Sequence, residues 1–279
     1  MKVVVFSSGS SGNCTLIRTN DINILIDVGL SRKAIESNLA NVGLTLNDID
    51  ILLITHEHTD HISALPTLLK DCNLKTYMTK GTFDAIYSDY ANKKRDKVCR
   101  LMDARLNQGD IIYINRIEKS MLYNSLHIKN TVIEVLPTFH DAVESVGFII
   151  HEYEKKLVYI TDTGYVHQNL YSMINDAQIY ILESNHDPEI LMHSNRPYHT
   201  KIRILSDHGH MSNEDSMVTL ANIIGPNTKY VLHAHISQEC NLTQIVEMTR
   251  TKVFDDYGIS TKDIEFVILA PRPTKEFCV

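Results

Sequence analysis

The sequence predicts a layered α/β sandwich, in which two β-sheets are faced by helices on their outer sides. Short β-branched runs alternate with amphipathic helical patterns along most of its 279 residues. Reactive side chains follow the ends of several of these runs. Because ligands collect outside the carboxyl ends of strands in layered α/β folds, this placement predicts one site that is assembled from distant segments.

Eight apolar runs have the length and the β-branched content of buried strands. They are Ile24–Ile26, Ile51–Ile54, Val132–Leu136, Gly147–Ile150, Leu157–Ile160, Ile179–Leu182, Tyr230–Leu232 and Phe266–Leu269. The run Met1–Phe6 is too short for a signal peptide and indicates a further strand at the N-terminus.

Two helices are predicted from residues that cap their first turns. Ser31 is placed as the N-cap of a helix over residues 31–41. Ser212 and Asp215 have the spacing of a capping box ahead of a helix over residues 213–224.

Composition excludes several classes of protein. The net charge of −7 and the pI of about 6.0 lack the cationic field of a protein that coats nucleic acid. No stretch approaches the ~20 apolar residues of a membrane span, so we expect no membrane partner. The five cysteines are scattered and odd in number, which favours reduced thiols and a cytoplasmic protein. Since no linker or repeat interrupts the pattern, residues 1–279 are expected to form a single domain.

The strongest functional signal lies in the segment Thr55–His61. His56, His58, Asp60 and His61 supply imidazole and carboxylate groups directly after a buried strand, and these groups suit Zn, Mn or Fe. A solvated polar loop is the alternative. Other candidate residues also follow predicted strands: Asp27, His140, Asp162, Glu183 and His235.

The spacing His56-x-His58-x-Asp60-His61 matches the signature of the metallo-β-lactamase superfamily, which the sequence therefore resembles. The resemblance implies a four-layer αββα sandwich and a hydrolase with two divalent ions, Zn, Mn or Fe, that share a hydroxide. The residues assigned to the ions are His56, His58 and His140 for the first, Asp60, His61 and His235 for the second, and Asp162 between them.

The same resemblance gives roles to further residues. Asp27 matches a motif whose carboxylate supports the metal loop, although a turn residue is the alternative. Together with Asp60, Glu183 and His210 are expected to be catalytic, because they resemble the paired Glu and His of the tRNA 3′-processing relatives. They would relay a proton or contact phosphate, or else only tie strand ends together. His186 is expected to support the ligands rather than to bind metal.

Several strings resemble the YycJ (also WalJ or VicX) family of bacterial metallo-β-lactamase-fold proteins. They are Phe6–Asn13, Phe139–Ala142, Ile160–Gly164, Leu182–Asp187, Ser206–Asn213 and His235–Asn241. Cys240 departs from the family, which usually has Asn there. His233 would face the same side of a strand as His235 and compete with it as a ligand. Members are associated with 5′-to-3′ DNA exonuclease activity, so the resemblance implies a nuclease that acts on DNA without sequence preference.

Two segments indicate contacts with phosphate. The loop over residues 7–13 carries backbone N–H groups and polar side chains that could cradle a phosphate, namely Ser8, Ser10, Ser11 and Asn13. A tight hairpin turn is equally well indicated there. The basic run over residues 92–97, with Arg100, could track a nucleic-acid backbone or form a solvated helix face.

Other functions remain open at this point. A small-molecule hydrolase of the same fold would cut a thioester, a lactone or a cyclic phosphodiester, and a tRNA 3′-processing-like endoribonuclease would cut RNA. A nonenzymatic protein that keeps metal for structure is disfavoured, since structural sites are usually single and closed. The sequence does not determine the oligomeric state.

Overall fold

The computed structural model describes residues 1–279 and divides the chain into two compact units. The first unit contains Met1–Pro137, Ala142–Val146 and Pro271–Cys278. The second contains Thr138–Asp141, Gly147–Ala270 and Val279. That residues 1–279 act as a single domain stays a prediction.

A seven-stranded sheet forms the centre of the first unit. Its strands are β1 (Lys2–Ser7), β2 (Cys14–Arg18), β3 (Asn23–Ile26), β4 (Ile51–Leu53), β5 (Lys75–Thr79), β6 (Ile111–Ile114) and β14 (Phe277–Cys278), in the order β14-β1-β2-β3-β4-β5-β6. Strands β14, β1, β2 and β3 pair antiparallel, whereas β3, β4, β5 and β6 pair parallel. A hairpin of β7 (Leu126–Ile128) and β8 (Thr131–Pro137) also belongs to this unit.

The helices of the first unit connect its parallel strands. They are α1 (Arg32–Asn41), α2 (Thr59–Ile62), α3 (Leu65–Asp71), α4 (Lys80–Asn92) and α5 (Asp96–Asn107), with a short 3₁₀ turn at Leu46–Asp48. Ser31 caps α1 as predicted, because its hydroxyl accepts a hydrogen bond from the backbone N–H of Ala34. The helix buries Ile35 and Leu39 in the apolar core that the sheet also lines.

The second unit contains a sheet with the strand order β13-β12-β11-β10-β9. Its strands are β9 (Val146–Glu152), β10 (Lys155–Ile160), β11 (Ile179–Glu183), β12 (Tyr230–Ala234) and β13 (Glu265–Ile268). Strands β10 to β13 are parallel, and β9 is antiparallel to β10. Its helices are α6 (Tyr171–Ile174), α7 (Pro188–His193), α8 (Tyr198–Ile204), α9 (Asn213–Ile223) and α10 (Thr243–Asp256), and a 3₁₀ turn spans Gln168–Leu170.

Every strand that was predicted from an apolar run is present, and Ser212 caps α9 as its spacing with Asp215 indicated. The N-terminal loop joins two antiparallel strands, β1 and β2, so the segment is a hairpin, with residues 8–13 as its connection instead of a tight turn. Strands β5, β6, β7 and β14 were missed. In β5 only Tyr77 and Met78 are apolar, between Lys75 and Thr76 on one side and Thr79 on the other, so no apolar run of strand length marks it.

All five cysteines are free thiols. None of the helices combines the length and the apolar character that crossing a bilayer requires.

Candidate metal centre

The first cluster of candidate residues comprises Asp27, His56, His58, Asp60 and His61, all in the first unit. Strands β3 and β4 run parallel with Ile26 opposite Leu53, so both chains leave the sheet at the same edge. The segment after β3 delivers Asp27, and the segment after β4 delivers the histidines. This parallel register is why residues far apart in sequence meet.

Asp27 is fully buried and organises the cluster by hydrogen bonds. Its Oδ1 accepts from the backbone N–H of Thr55 at 2.9 Å, and its Oδ2 accepts from the Thr55 hydroxyl at 2.8 Å. Nδ1 of His61 lies 2.7 Å from the same Oδ2. Burial raises the pKa of Asp27, while His61 and Thr55 oppose that rise. The carboxylate thus holds Thr55 and His61 in place, and its role in supporting a metal-bound loop stays a prediction.

Three imidazoles converge in the first cluster. The ring centroids of His56 and His61 are 4.1 Å apart, and those of His56 and His58 are 4.6 Å apart. Helix α2 begins directly after His58, and this turn brings Asp60 and His61 next to the first two histidines. His56 and His61 are buried, whereas His58 and Asp60 are half-buried.

Close backbone packing fixes this loop in place. Val28 donates its N–H to the carbonyl of His61 at 2.7 Å, and Asn13 donates to the carbonyl of Asp60 at 2.8 Å. A Cβ atom on Gly29 would lie 1.6 Å from the carbonyl oxygen of Asp60. Only glycine therefore allows the loop backbone to approach this closely.

The N-terminal loop contacts the first cluster through one of its four predicted phosphate ligands. Nδ2 of Asn13 lies 3.0 Å from Nε2 of His61 and 3.3 Å from Oδ2 of Asp60. Ser8 is buried, while Ser10 and Ser11 are exposed. A phosphate contact by these four residues stays a prediction.

The second cluster comprises His140, Asp162, Glu183, His210 and His235, all in the second unit. Strands β10, β11 and β12 are parallel, with Ile160 opposite Leu182 and Glu183 opposite Ala234. Their carboxyl ends therefore deliver Asp162, Glu183 and His235 to one edge of the sheet. Possible ligand atoms of Asp162, Glu183, His210 and His235 all lie within 4.8 Å of one another.

Oδ1 of Asp162 faces three histidines of the second cluster. It lies 3.4 Å from Nε2 of His235, 4.0 Å from Nε2 of His140 and 3.9 Å from Nδ1 of His210. Nδ1 of His140 donates to the carbonyl of Gly209 at 2.9 Å. Burial lowers the pKa of His140, which favours the neutral imidazole that binds metal.

Glu183 is in direct contact with His210, its partner in the predicted proton relay. Its Oε1 lies 2.7 Å from Nδ1 of His210 and 3.2 Å from Nδ1 of His235, and its Oε2 accepts from the N–H of Thr163 at 2.8 Å. Burial alone would raise the pKa of Glu183, but the charge and hydrogen bonds of the two histidines outweigh it, and the pKa is lowered. The pair is in hydrogen-bond contact, and its role in proton transfer stays a prediction.

Three residues of the clusters leave their strands in the left-handed backbone region. The φ angles are 59° at Asp27, 54° at Asp162 and 53° at His235. Because this region is unfavourable for residues other than glycine, the turn is held by its surroundings and redirects the side chain. It also explains why His233 does not face the same way as His235, since the strand alternation ends at Ala234.

His233 and His186 are buried apart from the ligand positions. His233 stacks on Phe266, and burial together with Arg250 lowers its pKa to about 3. Burial lowers the pKa of His186 to about 4. Neither ring nitrogen of either residue has a hydrogen-bond partner. His235, and not His233, therefore lies in the second cluster, and a supporting role for His186 stays a prediction.

The donor set fits divalent transition metals. His61 Nδ1 faces Asp27, His56 Nδ1 lies 3.0 Å from the Thr55 hydroxyl, His140 Nδ1 faces a carbonyl, and His235 Nδ1 faces Glu183. Oxygen acceptors at Nδ1 favour the tautomer in which Nε2 binds metal, as is common in metal-binding histidines, and Nδ1 of His235 also lies 3.2 Å from Nδ2 of Asn185. Seven residues would hold the ions. They are His56, His58, Asp60 and His61 from the first cluster, and His140, Asp162 and His235 from the second.

Sequence reasoning missed several residues that organise the clusters. Thr55 bridges Asp27 and His56, and Nδ2 of Asn185 donates to the carbonyl of His235 at 2.7 Å. Asp141 lies with its Oδ1 3.1 Å from Nε2 of His140 and pairs with Arg203. Threonine and asparagine in loops are common, so only their position beside strand ends could have drawn attention to them.

Comparison with known proteins agrees with this geometry. The model of the family described as a beta-lactamase superfamily domain matches residues 22–234. The chain is 34% identical over 254 residues to the exodeoxyribonuclease YycJ of Bacillus anthracis. The aligned residues cover 91% of this chain and 89% of that protein. The chain belongs to the metallo-β-lactamase superfamily, in its YycJ/WalJ family.

Other relatives extend this assignment. The exodeoxyribonuclease WalJ of Streptococcus pneumoniae is 32% identical over 248 residues, which is 89% of this chain and 86% of that protein. Among solved structures, the metallo-β-lactamase fold protein YhfI from Bacillus subtilis superposes with a TM-score of 0.66 at 16% identity, covering 99% of this chain and 98% of that one. The fold class predicted from the sequence is therefore confirmed.

Proposed function

We propose that this member of the YycJ/WalJ family is a metal-dependent phosphodiesterase that degrades DNA as a 5′-to-3′ exonuclease. The observation that carries the proposal is the state of the buried histidines. In His56, His61, His140 and His235, Nδ1 lies within hydrogen-bond distance of an oxygen acceptor, an arrangement typical of histidines that bind metal through Nε2. The names of the YycJ and WalJ relatives, both exodeoxyribonucleases, support DNA as the substrate.

The proposed centre contains two divalent ions, Zn, Mn or Fe, which its imidazole and carboxylate ligands all accept. The seven proposed ligands are His56, His58, Asp60, His61, His140, Asp162 and His235. Such ions supply Lewis-acid activation of water and stabilise charge on the oxygens of a phosphodiester. Asp27 keeps the proton of His61 on Nδ1, away from the ligand atom.

Three side chains are proposed to act on the reacting groups. Glu183 holds Nδ1 of His210, so Nε2 of His210 can carry a proton toward the leaving oxygen. The Asp60 carboxylate, 24% exposed, is proposed to orient the attacking water as well as to bind an ion. His186 would keep the backbone beside Ser212 in place, since the two residues form an isolated β-bridge.

A cytoplasmic location and DNA binding without sequence preference belong to the same proposal. The five free thiols suit a reducing compartment. The chain has no tryptophan, and contacts with the sugar-phosphate backbone carry no sequence information.

The test is a substrate comparison with purified protein and added Mn or Zn. Duplex and single-stranded DNA carrying a label at the 5′ or the 3′ end, RNA, and bis(p-nitrophenyl) phosphate are incubated in parallel. We expect 5′-labelled DNA to release mononucleotides first, and we expect His58→Ala and Asp162→Ala to abolish cleavage while remaining folded.

Two other outcomes would redirect the proposal. Cleavage of bis(p-nitrophenyl) phosphate alone would indicate a small-molecule hydrolase. Preferential cleavage of RNA within the chain would indicate an endoribonuclease related to the tRNA 3′-processing enzymes.

A further inference from the structure

A groove of about 480 Å³ lies within the first unit, beside the metal-binding loop. The loop residues Glu57, His58 and Thr59 line it, and so do Lys93 and Arg95 from the turn between α4 and α5. His58 is one of the proposed metal ligands. The groove therefore joins the proposed reaction site to the basic run that the sequence singled out.

Arg95 is held in place in this groove. Its guanidinium carbon lies 4.9 Å from the centroid of the Tyr90 ring, and its backbone N–H donates to the carbonyl of Tyr90 at 2.8 Å. Tyr90 itself is only 6% exposed, so it gives the guanidinium a rigid base. The preceding residue, Lys94, has a left-handed backbone with φ of 56°, which turns the chain sharply before Arg95.

Two acidic side chains line the groove, and only one of them, Asp89, is paired with a cation, while Oε2 of Glu57 has no hydrogen-bond partner. Asp89 pairs with Lys93, whose Nζ lies 2.9 Å from Oδ2. Oε1 of Glu57 accepts a hydrogen bond from the N–H of Val143 at 2.8 Å. Arg95 has no carboxylate partner and lies over the Tyr90 ring, so it is the cation of the groove that can bind an incoming anion without first leaving an ion pair.

We propose that this groove is a track for the sugar-phosphate backbone of a nucleic-acid strand, with Arg95 as the main cationic contact. The proposal rests on the proposed function and deepens it. A guanidinium binds phosphate oxygens through two parallel hydrogen bonds, which suits a repeating phosphodiester. Since Tyr90, the one phenol ring lining the groove, is buried beneath Arg95, it offers bases no open platform to stack on, and we expect binding that is independent of sequence.

The overall charge makes this groove distinctive. The protein carries a net charge of −7, which repels nucleic acid at long range. The dense basic run over residues 92–97 lies next to the groove, and all of its residues are exposed. A local cationic contact beside His58 would hold a strand against this repulsion.

Binding of a phosphorothioate oligonucleotide, which resists cleavage, tests the track directly. Wild-type holoenzyme is compared with Arg95→Gln, with Arg95→Lys, and with Arg100→Gln as the matched control. Arg100 is an exposed cation of the same run but does not line the groove. Fluorescence anisotropy at several salt concentrations gives Kd and its salt dependence.

We expect Arg95→Gln to raise Kd roughly 5- to 10-fold and to reduce the slope of log K against log salt by about 0.7 to 0.9, the loss of one phosphate contact. Arg95→Lys should restore part of the affinity, and Arg100→Gln should change it less than 2-fold. Turnover of bis(p-nitrophenyl) phosphate should be equal in all four proteins, because that ester does not reach along the groove.

The outcomes separate this inference from the proposed function. If Arg95→Gln and Arg100→Gln bind the oligonucleotide equally well, the track is wrong even though wild-type protein degrades DNA. If the wild type binds through Arg95 but cleaves no nucleic acid, the track stands and the exonuclease proposal fails. A parallel fall in ester turnover and thermal stability of Arg95→Gln would show that Arg95 only supports the fold, which also overturns the track.

Discussion

A fully buried carboxylate at Asp27 connects two histidines to the sheet. It accepts hydrogen bonds from the backbone and the hydroxyl of Thr55 and from His61, and Thr55 in turn contacts His56. These contacts determine which nitrogen of each imidazole carries the proton. We therefore expect the affinity for metal to depend also on side chains that do not bind the ion.

Replacing Asp27 by Asn tests this dependence. The amide keeps the size of the side chain but removes the charge that stabilises the proton on Nδ1 of His61. Loss of such a supporting hydrogen bond typically weakens metal binding or activity by about 10- to 100-fold. Metal content by mass spectrometry and turnover of a phosphodiester measure the effect. Asp84→Asn, an exposed carboxylate on α4, is the control, and equal metal affinity in both variants would contradict the prediction.

At the scale of elements, the loop between β4 and α2 is held by backbone contacts with the loops after β1 and β3. Gly29 lies where these segments meet, and a Cβ atom there would overlap the carbonyl oxygen of Asp60. The position of Asp60 and His61 thus requires glycine at residue 29, where any side chain would collide with the loop.

Gly29→Ala is expected to displace this loop. Because the obstructing atom belongs to the backbone, it cannot rotate away, and overpacking of this kind destabilises a protein by about 1–3 kcal/mol. We expect a lower melting temperature together with loss of bound metal. A variant that keeps its metal and its melting temperature would show that the loop relaxes freely.

Asp110 joins β5, α5 and β6 at the far end of the same sheet. Its carboxylate lies 2.8 Å from Nζ of Lys75 and 2.9 Å from a guanidinium nitrogen of Arg105. Lys75, and then Arg105, hold the pKa of Asp110 below its ordinary value. A carboxylate whose pKa falls on folding stabilises the protein above its unfolded pKa of about 4, and this contribution disappears as the pH drops through the lowered value.

Asp110→Asn should therefore lower the free energy of unfolding by roughly 1 kcal/mol at neutral pH and have little effect in strong acid. Urea unfolding at pH 7 and at low pH measures the difference between variant and wild type. Asp84→Asn again provides the control, since its pair with Lys80 is exposed. A difference that stays constant across this pH range would contradict the assignment to the ionised carboxylate.

For the whole molecule, bound ions contribute to stability if they bind only the folded chain. Metal present at 100 times its Kd adds about 2.7 kcal/mol to the free energy of unfolding. Treatment with a chelator should therefore lower the melting temperature and abolish activity, and added Mn or Zn should restore both. An active preparation that contains no transition metal and is indifferent to chelators would refute the metal centre.

Elements whose residues repeat with a clear period could be predicted from the sequence. The apolar runs that precede Asp27, His56, Asp162, Glu183 and His235 all correspond to strands of the structure. Strand β5 was missed because its polar side chains interrupt that pattern. Local periodicity reports burial on a face, and it fails where a strand is partly polar.

Contacts between distant residues could not be predicted in this way. Thr55 and Asp27 are 28 residues apart, and Asn185 and His235 are 50 apart, so no local spacing connects them. The basic run was evident, but only the fold shows that Arg95 lies on Tyr90 beside His58 while Arg100 lies elsewhere.

Residue type and short spacing were enough to assign the superfamily, to find the His/Asp motif and to predict the strands that carry the candidate ligands. The tertiary structure decided which histidine of the pair His233 and His235 enters the second cluster, which ring nitrogens are held, and which cation faces the groove. These properties depend on strand register and on backbone turns such as the left-handed residue at His235. They arise only when segments far apart in the chain pack together.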